Sequence, residues 1–193
     1  MSELAMLDWI QTLHAPGLDG LMVVVSTLGD LGMVWVALGC VLLFSKRYRM
    51  LGIGIVVAVA LAGVVTEGVL KPLIMRPRPC DVNTAATLLV SHPHGSSFPS
   101  GHTCASFAAF GVLLFAAVKP HKLTVAAGIL AAAIAFSRLY LYVHYPSDVL
   151  AGAAIGLGLG WLTVKACRRI RAVGGPRRRM TGFSLPEVHG ERR

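Results

Sequence analysis

The chain has 193 residues, of which 55% are hydrophobic and only 14% charged, and its formal net charge is +9. A soluble domain carries about 25% charged residues, so this composition, with a mean hydropathy of +0.68, excludes an ordinary water-soluble globule. Length allows one domain, by the usual prior of roughly 100–200 residues. Cys40, Cys80, Cys104 and Cys167 show no paired spacing and support neither a disulfide framework nor a zinc site. The expectation is an all-α, polytopic transmembrane helix bundle.

Residues 1–16 contain no Lys or Arg and no small-residue cleavage site, which separates them from a signal peptide. Leu4, Leu7, Trp9, Ile10 and Leu13 predict one apolar face of a short helix lying at the membrane interface. Five apolar stretches follow, at about 21–44, 50–70, 103–118, 123–137 and 149–164. The last three hold 15 to 16 residues. At about 1.5 Å per residue they reach near 24 Å, short of a hydrocarbon core of about 30 Å. Polar residues at one end must therefore complete each span, sheltered by protein and not by lipid. Gly152, Gly156 and Gly160 recur every four residues on the last span. They form a small-residue face for contact inside the bundle, with a dimer seam as its second use.

Orientation follows from the basic residues, because cytoplasmic connections carry the excess of Lys and Arg. Alternating spans place 14 of the 18 on one side, among them Lys46, Arg47, Arg49, Lys119, Lys122 and those of the tail 171–193. That side is expected to be cytoplasmic, with the basic tail beside anionic lipid. The tail follows a transmembrane domain over 1–170. The bilayer is the expected partner, and nucleic acid is not. The opposite side holds Lys71, Arg76, Arg78 and Arg138, together with seven of the nine acids.

These four outer cations break the charge rule, and they stand in a pattern. The long loop 71–102 begins Lys71-Pro-Leu-Ile-Met-Arg76-Pro-Arg78-Pro79 and ends Phe98-Pro99-Ser100-Gly101-His102. The short connection before the last span carries Ser137-Arg138, then His144, then Asp148. Lys71, Arg78 and Arg138 cannot satisfy one another and require a polyanion between them, for which Arg offers a planar fork. Ser100 and Gly101 open the third span, where free N–H groups and the helix dipole favour an anion. His144 and Asp148 lie four apart, so the carboxylate can hold one ring N–H and leave the other nitrogen as nucleophile. His102 has no adjacent acid and sits beside the anion-binding turn, which suits the proton donor. Glu67 is expected to pair with Lys71 one turn on, and Asp30 to supply polarity at a helix end or at the substrate rim. His92 and His94 flank Pro93 without an evident third ligand, so no metal is expected there.

Together the three pieces resemble the tripartite signature of the type 2 phosphatidic acid phosphatase and vanadium haloperoxidase superfamily, K-x6-R-P, P-S-G-H and S-R-x5-H-x3-D. Lys71 to Arg78-Pro79, then Pro99-Ser100-Gly101-His102, then Ser137-Arg138 with His144 and Asp148 carry it at the right spacing. The resemblance covers about residues 66–160. It implies His144 as nucleophile with Asp148 behind it, His102 as acid, and Lys71, Arg78, Ser100, Gly101 and Arg138 around the phosphate. It also implies a metal-independent reaction without a cofactor, in an integral protein of the bacterial inner membrane whose site faces outward. Implied substrates are undecaprenyl pyrophosphate, phosphatidylglycerol phosphate and phosphatidic acid, the first favoured because its carrier product is released on that face. Transfer of the same phosphoryl group to an alcohol, a phosphotransferase, is the alternative. The haloperoxidase branch is typically larger and soluble, against the five spans here. Membrane members commonly look like six-span proteins, whereas this chain reads as five spans plus the interfacial helix of 1–16. Residues 81–97 are the expected lid.

Overall fold

The computed structural model describes residues 2–118 and 121–173, so Lys119 and the expected tail beyond Val173 lie outside the described residues. Helix α1 (Glu3–Gln11) starts at Ser2, whose Oγ accepts from the Ala5 N–H at 3.2 Å. That bond satisfies one of the donors a helix start leaves free. Its buried face is narrower than the sequence suggests. Leu7 and Ile10 are buried, but Trp9 is 58% exposed. The two buried side chains pack on Tyr140, Tyr142, Tyr145 and Cys80, so α1 lies against protein at one end of the bundle.

The apolar stretch expected at 21–44 is not one helix. It is α2 (Pro16–Leu28) and α3 (Met33–Leu43), bent by 49°. Between them Leu31 and Gly32 both adopt left-handed backbone, with φ of 51° and 68°. Glycine accepts that conformation without steric cost, whereas leucine does not. Helix α4 (Arg49–Gly63) runs on through a π-helical segment, Val64–Leu70, into the short α5 (Lys71–Ile74). Met75, also left-handed at φ 47°, ends it. A single turn, α6 (Pro79–Val82), follows; Asp81 caps it by accepting from the Arg78 N–H at 2.8 Å.

Three long helices complete the chain: α7 (Gly101–Phe115), α8 (His121–Tyr140) and α9 (Pro146–Val173). Arg49–Val82, His121–Tyr140 and Pro146–Ile170 are long and apolar enough to cross a membrane, and the bent α2–α3 pair makes a fourth candidate. Helix α7 is apolar but shorter, with 15 residues. Its position explains how that length suffices. It packs against α9, α4 and α8, and Cys104, Ala108, Ala109, Val112 and Leu113 are buried. Protein, not lipid, therefore surrounds most of it, and Trp35 of α3 ties in through an Nε1–H donated to Ser106 Oγ at 2.9 Å.

Between helices in lipid there is little hydrophobic gain, so close van der Waals packing carries the contact. The glycines of α9 provide it. A Cβ at Gly152 would lie 2.7 Å from the Ser100 carbonyl oxygen, one at Gly160 2.7 Å from that of Ala108, and one at Gly156 would collide with that of Cys104. The small-residue face is spent on α7, the first of its two expected uses. This approach also sets the start of α7 against the start of α9, where the Ser100 N–H donates to the Asp148 carbonyl at 3.1 Å.

Candidate active site

The signature residues gather where α5, α7, α8 and α9 begin or end on one side of the bundle. Asp148, in the first turn of α9, is fully buried. Its Oδ1 accepts from Arg76 Nη1 at 2.6 Å. Its Oδ2 accepts from the Tyr145 N–H at 2.9 Å and from the Ser97 hydroxyl. His144 Nδ1 lies 3.5 Å from the same Oδ2 and makes no hydrogen bond of good geometry. The expected pair is thus in place, set one short movement from closure. The other ring nitrogen, Nε2, points to Arg78, 3.4 Å from Nη1.

His144 lies in the connection between α8 and α9 and is 2% exposed. Burial pushes its imidazole down to about 3 against the pull of Asp148, and the Arg138 and Arg78 charges act in the same direction as burial. An imidazole held so low is neutral at ordinary pH, the form in which a ring nitrogen keeps its lone pair.

The three cations are less free than their spacing suggests. Lys71 donates to Glu67 Oε1 at 2.6 Å, the pairing expected one turn apart. Arg78 is held by loop carbonyls: Nε to Gly95 at 3.0 Å, Nη1 to Val143 at 3.1 Å, Nη2 to His94 and Ser96 at 3.3 and 3.4 Å. Two of the three are therefore satisfied without an anion, Lys71 by the acid one turn before it and Arg78 by carbonyls of the loop and of Val143. Arg138 differs. It is 7% exposed, its Nη1 donates to Ser26 Oγ, and its Nε is buried without a partner. A buried donor left unpaired costs about 1–3 kcal/mol, a cost that an arriving phosphate oxygen removes.

Ser100 is the N-cap of α7; its Oγ accepts from Thr103 N–H at 3.4 Å and from the Thr103 hydroxyl at 2.9 Å. The sequence leaves His102 without an acid, and the structure corrects this. Asp30, from the turn between α2 and α3, lies 2.7 Å from His102 Nε2. The two loop histidines also part company. His94 gives its carbonyl to Arg78, while His92 Nε2 sits 3.1 Å from Asp81 Oδ1. The sequence shows no third ligand for this pair, yet Cys80, Asp81 and His92 bring their ligand atoms within 4.8 Å of one another.

Arg76 is the principal residue the sequence reading missed. Besides Asp148 it reaches Ser147 Oγ at 2.6 Å and Glu3 Oε2 at 2.7 Å, and it stacks over Tyr145 at 4.0 Å. Glu3 Oε1 in turn accepts from the Ser147 N–H at 2.8 Å, a carboxylate at a helix start, where the dipole favours it. An open cleft of about 610 Å³ lies beside this centre and is lined by Glu67, Lys71, Met75, Arg76 and His94 among others.

Buried cations, two imidazoles and a saturated carboxylate at one end of an apolar helix bundle define a membrane enzyme of phosphate chemistry. Residues 51–171 match the family model of the PAP2 superfamily, and the chain belongs to that superfamily. It is 34% identical to an undecaprenyl-diphosphatase of Sulfolobus acidocaldarius over 77% of this chain and 70% of that protein. Among solved structures it is similar to a transmembrane PAP2-type phosphatidylglycerolphosphate phosphatase of Bacillus subtilis, with TM-score 0.69 and 28% identity over 87% of this chain and 85% of that one. LpxE of Aquifex aeolicus gives TM-score 0.68 and 29% identity over 84% of this chain and 94% of that one. The chain is an integral membrane phosphatase acting on lipid phosphates.

Proposed function

We propose that the enzyme hydrolyses lipid phosphates or diphosphates through a phospho-histidine, without a metal, on the extracytoplasmic face. A polyprenyl diphosphate is its foremost substrate. The observation that carries this reading is the pair His144 Nε2 and Arg78 at 3.4 Å, with the unpaired Nε of Arg138 buried nearby. A nucleophilic nitrogen and two guanidiniums converge on one small volume, as displacement at phosphorus requires.

In the first step His144 Nε2 attacks phosphorus, the bond from phosphorus to the leaving oxygen breaks, and His102 gives that oxygen its proton. Asp148 accepts a hydrogen bond from the Nδ1–H of the imidazolium that forms, closing the 3.5 Å gap while the proton stays on the ring. Water then attacks phosphorus, His102 accepts its proton, and the P–N bond breaks to restore neutral His144. Lys71, Arg78, Arg138 and the N–H groups at Ser100-Gly101 balance the charge that grows on the phosphoryl oxygens. Both oxygens of Asp148 are committed to protein donors, so cations from side chains supply the positive charge. The curated relative named above is an undecaprenyl-diphosphatase, and the cleft beside Lys71 has room for a second phosphate. The basic residues concentrated on the opposite connections support the outward orientation.

Phosphate release by purified protein in detergent, with EDTA present, tests the reading. Undecaprenyl pyrophosphate, phosphatidylglycerol phosphate and phosphatidic acid form the panel. Turnover in EDTA, highest with the diphosphate and lost in His144→Ala, is expected. Dependence on an added divalent ion, or turnover in His144→Ala, would overturn the mechanism.

A further inference from the structure

The turn between α2 and α3 carries three unusual features within four residues. Leu31 holds a left-handed backbone, φ 51°, although it is 93% exposed and gains nothing from packing. Gly32 follows it in the same region at φ 68°. Gly29 lies so close to the catalytic end that a Cβ there would sit 2.9 Å from His102 Cδ2 and 2.8 Å from Ile134 Cγ2. Backbone that leucine avoids persists only where the surrounding structure requires it, and such turns cluster at functional sites. What this turn delivers is the Asp30 carboxylate, 2.7 Å from His102 Nε2. The side chain does not cap α3, whose start at Gly32 has no side-chain hydrogen bond. Asp30 is thus committed to the imidazole.

The ring's orientation follows. Its Cδ2–Nε2 edge faces Gly29 and Asp30, so Nδ1 lies on the opposite edge, away from the turn. We propose that Asp30 is the positioning residue of the acid–base step, holding the Nε2–H of His102 so that Nδ1 delivers and later takes the proton. The inference rests on the phospho-histidine reading above. The proton on Nδ1 passes to the leaving oxygen as its bond to phosphorus breaks. In the second step Nδ1 accepts the proton of the attacking water, and Nε2 keeps its proton toward Asp30.

A positioned acid matters most when the leaving oxygen is a poor one, which separates this role from a structural one. The test is single-turnover cleavage by wild type, Asp30→Asn and Asp30→Glu, in detergent. The two substrates are phosphatidic acid, whose leaving group is an alcohol, and p-nitrophenyl phosphate, whose phenolate departs unaided. In Asp30→Asn, cleavage of phosphatidic acid is expected to slow about 10²-fold with KM nearly unchanged. Cleavage of the aryl ester should slow only a few-fold, and Asp30→Glu should recover part of the loss. Equal slowing of both esters, a loss confined to KM, or wild-type rates in Asp30→Asn would overturn the role. Absence of cleavage by the wild type of both esters and of undecaprenyl pyrophosphate would instead overturn the phosphatase mechanism on which it rests. A melting midpoint within a few degrees of wild type is expected for the variants, and Asp30→Glu keeps the test open if Asp30→Asn does not fold.

Discussion

Asp148 shows how one residue's chemistry depends on neighbours that no local motif names. Its carboxylate is held on three sides by Arg76, Ser97 and the Tyr145 N–H, so its remaining contact is with His144. A carboxylate so held has one orientation, and closing the 3.5 Å gap to Nδ1 would fix one tautomer of the imidazole. Asp148→Asn keeps the shape but loses the charge that stabilises the imidazolium, and an amide can present its NH₂ to the ring. By analogy with carboxylate–imidazole pairs elsewhere, kcat should fall roughly 10²–10⁴-fold, with KM little changed, in steady-state phosphate release. A fall of less than about tenfold would show that His144 is oriented by other means. The pairing of His144 with Asp148 was legible because only four positions separate them across the start of α9. Arg76 was not: as one of four outer cations it looked like its neighbours, and its partners lie 72 and 73 residues away. The same holds for Asp30 and His102, 72 residues apart. Spacing within an element can be read from a chain, whereas contacts between distant elements require the fold.

Helix α1 acts on the site as an element, and it does so through one charge. Glu3 ties Arg76 and the start of α9 together, and thereby holds the group that holds Asp148. Burial alone would raise the Glu3 carboxyl, but the hydrogen bonds from Ser147 and Arg76 and the Arg76 charge outweigh it and hold it below the ordinary value. The sign is that of a depressed acid. Its contribution is full above the unfolded value of about 4.3 and is lost as pH falls through the lower folded value. Glu3→Gln should therefore melt below wild type at neutral pH by the equivalent of up to about 1 kcal/mol, a figure limited by solvent screening. The gap should close as pH drops beneath the carboxylate range, measured by thermal melting in detergent. A gap unchanged with pH would mean that the Glu3 charge does not hold α1, which Leu7, Ile10 and the hydrogen bonds of Asp8 and Gln11 would then secure. The apolar periodicity identified this helix, and of its apolar residues Leu7 and Ile10 meet protein while Trp9 stays outside. Reading 21–44 as continuous failed because apolar composition persists on both sides of Gly29-Asp30-Leu31-Gly32, so the break is marked only by two glycines and one acid.

At the scale of the whole molecule, polarity is separated along the bundle. The candidate site, Asp30 and α1 lie at one end, while the α3–α4 connection and the ends of α7 and α9 meet at the other. There Arg168 of α9 donates to the Phe115 carbonyl of α7 at 2.7 Å. Lys46, Arg47 and Arg49 share that end through the α3–α4 connection. Three of the site-end cations, by contrast, are neutralised locally by Glu67, Glu3 and Asp148 or enclosed by carbonyls, and the fourth, Arg138, is buried, so they weigh less in the rule that sets orientation. This predicts which face meets the cytoplasm, and a labelling experiment checks it. In a background with the four native cysteines replaced by alanine, Thr84→Cys and Arg47→Cys each place a thiol at an exposed position on opposite ends. A membrane-impermeant maleimide added to intact cells should label Thr84→Cys, and should label Arg47→Cys only after permeabilisation. The reverse pattern would put the phosphate site inside. It would exclude a diphosphate presented on the outer leaflet, because the cleft beside Lys71 and Arg76 would then face the cytoplasm.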